Sequence, residues 1–343
     1  MTISEIAKLC NVSAATVSNV INGKGRASRE TVERIQKLIA ETGYQPDFLG
    51  RSLRSHSTGL IGVIADDIVQ FSVPPIIDGA MACCEERGYH LILENLRLYA
   101  RWSDTWFGDE EKYQSVLQPA LAQMRRFKVD GILYIGGHER EIHGIEQSAS
   151  TPVVVAYAFP DTPRVPAFVI DDEQGGYMQT RYLLDRGHRR IGYIAAEPDN
   201  IHVINRVRGW RRALEEAGIQ PEEALLSYGR WGRKSGYENT PRMLEAGVTA
   251  VLCAQDDMAG GVYDYLSEHG LAAGRELSVL GYDNSDIASF LKPSLTTISL
   301  PLYEIGFSAA GCLVNLINDR PIPTGSITQI PGELVERESV RPV

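Results

Sequence analysis

Residues 12–23, VSAATVSNVING, decide the fold predicted for the start of the chain. Serine is a preferred helix cap, so Ser13 can begin a helix here. One face of that helix would carry the apolar residues Val17, Val20 and Ile21. The stretch therefore predicts a short amphipathic helix that ends before the glycine-containing loop at residues 22–25.

Two further helices are predicted on either side of this one. Thr2, with Glu5 three residues later, fits a capping box for a first short helix. The apolar residues of that helix are Ile3, Ile6, Leu9 and Cys10. Ser28 can cap a longer helix that ends near Gly43, with Val32, Ile35, Leu38 and Ile39 inward. Together they predict an all-α, three-helix, helix-turn-helix head over residues 1–45.

The second helix would project its amino-terminal side chains, and a DNA major groove accepts a helix in this way. The residues at or near that surface are Ala14, Ala15, Ser18 and Asn19. Residues 1–58 carry eight Lys/Arg against five Asp/Glu, a net +3, whereas the remaining 26 Lys/Arg and 39 Asp/Glu give −13. A basic head on an acidic body favours phosphate contacts by the head alone. A small bundle that docks to another protein is the alternative.

The stretch VSAATVSNVING, with GYQPDFLGRSLRS at residues 43–55, closely resembles the amino terminus of LacI/GalR repressors. The resemblance implies contacts to double-stranded DNA from Thr2, Ser13, Ala14, Ala15, Thr16, Ser18, Asn19, Asn22, Arg51 and Leu53. Family members often have arginine where this chain has Asn19. Since asparagine pairs best with adenine and arginine with guanine, we expect the operator to differ from the usual half-site at that base.

Residues 46–58 are expected to form a hinge helix and linker. Pro46 disfavours helix at the residue before it, and Asp47 can cap a short helix over residues 48–54. The resemblance implies that this helix forms on DNA and that Leu53 inserts between base steps in the minor groove. An ordinary apolar linker residue is the alternative for Leu53. Gly50 stands where the family commonly has alanine, so we expect the hinge to depend on DNA and dimer contacts.

From residue 59 onward, short apolar runs alternate with helix-length segments. One set runs from LIGVIA to PVVVAY and a second from AFVIDD to LSVLGYDN, which predicts two parallel sheets covered on both faces. The region resembles the effector domain of the same repressors, which is similar to type I periplasmic sugar-binding proteins. We expect an α/β effector-binding and dimerisation domain over 59–343 with two doubly wound subdomains, the first at 59–160 and 292–324 and the second at 161–291 and 325–343.

Polar residues follow several of these strands, and ligands bind beyond the carboxyl ends of parallel strands. For any single acid among them, a helix cap or a solvated loop is the alternative. The resemblance implies that a small-molecule effector, expected to be a sugar or sugar derivative, contacts Asp66, Phe71, Ser72, Val73, Tyr157, Arg206, Trp231, Gln255 and Asp283. In that assignment Arg206 anchors the ligand, Asp283 is the acceptor opposite, and Trp231 covers an apolar sugar face. Many relatives have aspartate where this chain has Tyr157, so the resemblance does not predict that this chain shares their sugar specificity.

Other classes of protein are disfavoured. The stretch MTISEIAKLC lacks the apolar core of a signal peptide, and no run of about 18 apolar residues indicates a membrane span, so we expect a cytoplasmic protein. The five cysteines show no C-x-x-C spacing, so neither a zinc site nor a disulfide framework is predicted. Catalytic and phosphate-loop motifs are absent, so we expect no enzyme, no cofactor and no metal.

The expected regulator is a homodimer that places two recognition helices about one DNA turn apart on a pseudo-palindromic operator. Effector binding would close the cleft and move the hinge helices, and the sequence does not say whether the ligand induces or corepresses. The alternatives are a stand-alone sugar-binding or transport receptor and a regulator that answers to a nucleobase or a phosphoprotein. The aromatic insert at residues 97–112 is compatible with a lid, a partner surface, a loop or an apolar seam within the dimer.

Overall fold

The computed structural model describes residues 1–21, 27–44, 57–322 and 327–343, apart from the side chain of Asp104. The chain divides into two compact units, Met1–Gly59 and Leu60–Val343. Three of the predicted DNA contacts, Asn22, Arg51 and Leu53, lie outside the described residues, as does the predicted hinge helix.

The first unit contains the helices α1 (Ile3–Leu9), α2 (Ala14–Ile21) and α3 (Arg29–Thr42). The predicted capping box between Thr2 and Glu5 is present. The Oγ atoms of Ser13 and Ser28 accept hydrogen bonds from backbone amides three residues later, at 3.1 and 3.3 Å. At the end of α3, Gly43 has a φ of 61°, the left-handed conformation that glycine adopts most easily. Local capping thus sets the helix ends that the sequence predicted.

A small apolar core joins these three helices. Its buried residues are Ile6, Ala7, Cys10, Val17 and Ile35. The prediction that Leu9 faces inward is wrong, because its side chain is 63% exposed. Buried Ala7 shifts the centre of the inward face of α1, and at 3.6 residues per turn that centre lies roughly 110° from Leu9.

The second unit alternates strands with helices. Its strands are β1 (Leu60–Ala65), β2 (His90–Asn95), β3 (Gly131–Ile135), β4 (Glu141–Ile142), β5 (Val153–Ala156), β6 (Phe159–Pro160), β7 (Ala167–Ile170), β8 (Ile191–Ala195), β9 (Leu226–Tyr228), β10 (Ala250–Cys253), β11 (Ser278–Leu280), β12 (Thr297–Ser299), β13 (Ile327–Ile330) and β14 (Glu333–Val335). Its helices are α4 (Val73–Arg87), α5 (Leu98–Trp102), α6 (Glu110–Arg126), α7 (Asp172–Asp185), α8 (Ile201–Glu216), α9 (Arg233–Glu245), α10 (Asp256–Glu268), α11 (Asp286–Phe290) and α12 (Leu302–Ile317), with 3-10 turns at Ser103–Trp106 and Glu223–Leu225.

Most of these strands form two parallel sheets, each the centre of one subdomain. The sheet of the first subdomain has the order β13-β7-β5-β3-β1-β2, and that of the second has the order β11-β10-β8-β9. In β1, Val63 packs with residues of α4 and α12 on one face of the sheet, and Ile64 packs with residues of α6 on the other. Helices therefore cover both faces of the first sheet, and the predicted fold class is confirmed.

The predicted boundaries between the subdomains need correction. Residues 161–170 and 325–330 were expected in the second subdomain, but β7 and β13 pair with each other in the first sheet. Residues 292–299 were expected in the first subdomain but lie against the second, where the carbonyl of Thr296 accepts from the amide of Gly281 at 2.9 Å. Apolar periodicity identifies a strand, but it does not say which of two sheets the strand joins.

The insert at residues 97–112 folds around α5 and the turn that follows it. The side chain of Trp106 is only 2% exposed, so it is buried in its own chain. The guanidinium carbon of Arg140 lies 4.8 Å from the centre of the Trp106 ring. The insert therefore supports Arg140 from one side.

All five cysteines are buried and unbridged. Burial raises the pKa of the Cys84 thiol to about 12, with a smaller contribution from Cys83 beside it. The cysteines therefore belong to the apolar cores of the two units. None of the helices in the described ranges has the length and apolar character needed to cross a membrane.

Candidate functional site

The outward side of α2 is the candidate DNA-reading surface. Ser13, Ala15 and Asn19 are exposed, and Ala15 and Asn19 lie one turn apart on the same side of the helix. Half-buried beside them are Ala14, Thr16 and Ser18. Ala14 packs partly against the core of the bundle. The structure thus brings Ala15 and Asn19 together on one accessible face.

Thr2 and Ser13, also predicted to contact DNA, hold the amino ends of the first two helices. The backbone amide of Thr2 donates to Glu5 Oε2 at 2.7 Å, and Ser13 Oγ lies 2.9 Å from Thr16 Oγ1. Both residues are exposed. The free amides and the dipole of a helix amino end favour an anion such as a phosphate.

Asp66, at the carboxyl end of β1, is fully buried and already satisfied by its own chain. Arg140 Nη1 donates to Asp66 Oδ2 at 2.7 Å, and the amide of Gly137 donates to the same oxygen at 2.9 Å. Oδ1 accepts from the hydroxyl of Tyr134. The structure therefore places Asp66 in a closed network that fixes the loops after β1 and β3.

The loop after β1 presents one of the other predicted contacts and buries two. The Phe71 side chain is 56% exposed, whereas Ser72 and Val73 are fully buried. Ser72 Oγ donates to the carbonyl of Gly137 at 3.1 Å. Ser72 thus ties this loop to the loop after β3, and Phe71 is the side chain available to a ligand.

Arg206 extends from α8 into the centre of the second unit and is 3% exposed. Its Nε donates to Asp172 Oδ1 and its Nη1 to the carbonyl of Ala254, both at 2.6 Å. The guanidinium carbon lies 3.6 Å from the centre of the Tyr282 ring. The ion pair and the ring hold the guanidinium in one orientation, as bidentate recognition requires.

Residues of both subdomains meet next to this ion pair. Glu139 and Tyr157 follow strands of the first sheet, and His202 belongs to α8 of the second subdomain. Asp172 Oδ2 accepts from His202 Nδ1 at 2.6 Å, and the Tyr157 hydroxyl lies 3.4 Å from His202 Nε2. Glu139 Oε2 lies 3.9 Å from His202 Nδ1. We call Glu139, Tyr157, Asp172, His202 and Arg206 the inter-subdomain cluster.

Charge within the cluster shifts the pKa values of its acids in opposite directions. Burial raises the pKa of Asp172, but the charges of Arg206 and His202 and their hydrogen bonds outweigh it, so the net shift is downward. For Glu139, burial and then the charge of Asp172 raise the pKa well above its usual range. Asp172 is therefore the ionised partner of Arg206, and Glu139 lies in a negative environment.

The remaining predicted contacts lie at the carboxyl ends of strands in the second sheet or in a loop beside them. Asp283 follows β11 with a φ of 111°, and burial raises the pKa of its carboxyl well above the usual range, against the pull of Arg206. Gln255 precedes α10, and its buried Oε1 has no hydrogen-bond partner among the described residues. Trp231, in the loop before α9, is 37% exposed.

Three members of the inter-subdomain cluster were not predicted as site residues. Asp172 ends the stretch AFVIDD at the carboxyl end of a strand, and Glu139 follows GILYIGG in the same way. His202 precedes Arg206 by four residues, so both lie on one side of α8. Strand-end position and this spacing were therefore the available signals.

Three of these side chains could hold a metal ion. Donor atoms of Glu139, Asp172 and His202 all lie within 4.8 Å of one another. In the structure, however, His202 Nδ1 donates to Asp172 and the other Asp172 oxygen accepts from Arg206. A metal ion would have to displace the proton of His202 Nδ1, so the arrangement fits a hydrogen-bonded cluster better than a set of metal ligands.

Comparison with known proteins identifies the family. The profile of bacterial regulatory proteins of the lacI family matches residues 2–47, and that of a periplasmic binding protein-like domain matches residues 180–340. The HTH-type transcriptional repressor PurR of Vibrio atlanticus is 31% identical, covering 99% of this chain and 98% of the relative. The chain belongs to the lacI family. Catabolite control protein A of Priestia megaterium is 30% identical, with 99% of both chains covered.

Solved structures of a repressor and of another transcriptional regulator share the fold. A Lac repressor dimer bound to operator and an anti-inducer matches with a TM-score of 0.73 at 24% identity, covering 99% of both chains. The complex of the transcriptional regulator CelR with cellobiose matches with a TM-score of 0.61 at 26% identity and the same coverage. This lacI-family chain is a DNA-binding transcriptional regulator rather than an enzyme.

Proposed function

We propose that this lacI-family protein is a repressor whose affinity for a pseudo-palindromic operator is controlled by a sugar or sugar derivative bound where the subdomains meet. The observation that carries the proposal is the inter-subdomain cluster, which lies at strand carboxyl ends and retains a buried acceptor without a donor, Glu139 Oε2. Gln255 Oε1 is a second such acceptor. Leaving buried acceptors unpaired is costly, and the hydroxyl groups of a sugar would supply the missing donors.

Six of the nine predicted residues remain as proposed contacts to the effector, and the other three would support one of them. Tyr157, Arg206, Gln255 and Asp283 would bond to its polar groups, and Phe71 and Trp231 would cover its apolar face. Asp66, Ser72 and Val73 would hold the loop that carries Phe71. The CelR–cellobiose complex supports a sugar, since that relative has the same fold and 26% identity.

The proposed DNA-binding state is a homodimer. In the Lac repressor structure a dimer is bound to operator, and the same assembly here would place two α2 helices in major grooves about 34–36 Å apart. Each α2 would read bases with Ala14, Ala15, Ser18 and Asn19. The phosphates or deoxyriboses of the DNA backbone would be contacted by Thr2, Ser13, Thr16, Asn22 and Arg51. Leu53 would insert into the minor groove.

Regulation would follow from the two subdomains meeting at the ligand. A ligand that binds one relative arrangement of them more tightly increases the population of that arrangement. Operator binding and effector binding would then change each other's affinity by the same factor.

An operator titration tests the effector half of the proposal. The full chain on a fluorescent duplex is titrated with a panel of sugars, and at least one sugar is expected to change the operator Kd tenfold or more. Trp231→Ala is expected to weaken that response at least fivefold and to leave the ligand-free operator Kd unchanged. Phe127→Ala is the matched control, because Phe127 is exposed and precedes the amino end of β3, whereas the proposed site lies at the carboxyl ends of the strands. If every sugar leaves both the operator Kd and the melting temperature unchanged, the sugar assignment is wrong.

A further inference from the structure

The buried polar residues where the subdomains meet contain more acids than cations. Asp172 is fully buried and Glu139 is 8% exposed, and Asp283 lies half-buried close to both Arg206 and Asp172. Their three carboxylates, when ionised, exceed the single charge of Arg206. Protonation of His202 would still leave an excess of one negative charge. When its acids are ionised this site therefore has a negative potential, and without a further cation burial first and then neighbouring acids hold the pKa values of Glu139 and Asp283 well above their usual range.

Arg206 does not offset this potential for an acidic ligand. Its Nε already donates to Asp172 and its Nη1 to the carbonyl of Ala254. A carboxylate or phosphate that approached it would compete with Asp172 and would lie beside buried carboxylates of the same sign. The site is thus built against an anionic effector.

Glu139 marks where a donor is missing. Its Oε2 is buried, has no hydrogen-bond partner among the described residues, and lies 3.9 Å from His202 Nδ1 across the junction of the subdomains. The hydrogen of that Nδ1 is directed to Asp172 Oδ2 at 2.6 Å. A ligand group that donated to Glu139 Oε2 would therefore contact the first subdomain next to side chains of the second.

We propose that the effector carries a protonated amino group that donates to Glu139 Oε2, so that the ligand is an amino sugar or a similarly hydroxylated amine. This inference rests on the proposed function, because it names the ligand class of the same site. An ammonium group brings three donors and a positive charge, whereas a hydroxyl brings one neutral donor. Charge-assisted hydrogen bonds are roughly twice as strong as neutral ones. The amine thus supplies both the missing donor and the missing charge, and Gln255 Oε1 accepts from a neighbouring hydroxyl.

Isothermal titration calorimetry of the full chain with matched sugars tests the inference. The probes are glucose, galactose and mannose, their 2-amino and 2-acetamido forms, and the corresponding uronic acids, all in the presence of EDTA. In at least one series the amine is expected to bind tenfold or more tightly than the hydroxyl parent, about 1.4 kcal/mol. Acetylation, which removes the charge, is expected to abolish the gain, and the uronic acid is expected not to bind.

Two variants locate the effect. Glu139→Gln keeps the shape of the side chain and is expected to reduce the preference for the amine over its hydroxyl parent to less than threefold. Glu141→Gln, an exposed neighbour, is the matched control and is expected to keep the full preference. Unfolding curves of each variant show whether it is folded, and the wild-type comparison of amine with hydroxyl stands without either variant.

The possible failures are distinguishable. If hydroxyl sugars bind and no amine binds more tightly than its parent, the amine inference is overturned and the proposed function stands. If a uronic acid binds best, or if binding needs a divalent ion that EDTA removes, the inference is overturned as well. If no sugar of any kind binds, the sugar effector and the amine inference both fall.

Discussion

Replacing Arg206 with methionine removes the guanidinium while keeping a long apolar side chain in the same space. Asp172, fully buried, then loses its strongest partner. Breaking a buried, hydrogen-bonded ion pair on one side costs about 3–5 kcal/mol, because the other charge stays buried and uncompensated. The carbonyl of Ala254 loses its donor as well, and the Tyr282 ring loses the cation 3.6 Å above it. We therefore expect a loss in the upper half of that range.

Urea unfolding of the full-length protein, followed by circular dichroism, measures this loss. The single variants Arg206→Met and Asp172→Asn each leave one buried polar group without its partner. The double variant leaves neither charge, so it is expected to lose less free energy of unfolding than the sum of the two singles. Coupling between residues in direct contact is typically about 0.5–3 kcal/mol, and we expect the upper end here.

A matched pair on the surface separates burial from the mere presence of an ion pair. Arg233 Nη2 donates to Asp264 Oδ1 at 2.7 Å, but these side chains are 46% and 40% exposed. Exposed pairs contribute about 0–1 kcal/mol, so Arg233→Met is expected to be nearly neutral. The reasoning is refuted if Arg206→Met costs no more than Arg233→Met, or if the two cluster variants prove additive.

Three further variants test other parts of the molecule. Burial raises the pKa of Asp256 to about 6, so its contribution to stability is full in acid and is lost as the pH rises through 6. Between pH 4 and 7 this group should lower the wild-type free energy of unfolding, measured by thermal denaturation, by about 3 kcal/mol, and Asp256→Asn should abolish that fall. Parallel pH curves for the wild type and the variant would contradict this. A Cβ on Gly209 would lie 2.1 Å from the carbonyl oxygen of Glu173, so Gly209→Ala should lower the free energy of unfolding by about 1–3 kcal/mol or more. Gly311→Ala is its control and should be neutral or stabilising, since its nearest neighbour would be 3.6 Å away. Leu53→Ala should weaken operator binding several-fold and leave effector affinity unchanged, and an unaltered operator Kd in anisotropy assays would remove its role as a wedge.

Local signals predicted the amino-terminal unit well. The capping box at Thr2 and Glu5 and the serine caps at Ser13 and Ser28 are present, because each depends on residues three positions apart. Leu9 was misplaced for the converse reason. Which face of a short helix is buried depends on the helices that pack against it. In α1 the buried face includes Ala7 and excludes Leu9.

Long-range partners were harder to predict. The sequence located Arg206, Tyr157 and several polar strand ends, but it paired Arg206 with a ligand and opposed it to Asp283 across the site. In the structure Arg206 bonds to Asp172, 34 residues away in the chain. The sequence also did not predict that β7 and β13 belong to the first sheet, because an apolar strand pattern does not indicate which sheet the strand joins.

Selection of duplexes from a random pool, carried out with the full-length protein at physiological salt, tests most directly whether α2 reads DNA sequence. Wild-type protein is expected to enrich two inverted half-sites whose centres lie about one helical turn, or a multiple of it, apart. Asn19→Arg is expected to change one position in each half-site from adenine to guanine and to leave the other positions as they were. Enrichment of no sequence by the wild type, or an identical consensus for both proteins, would contradict this role of α2.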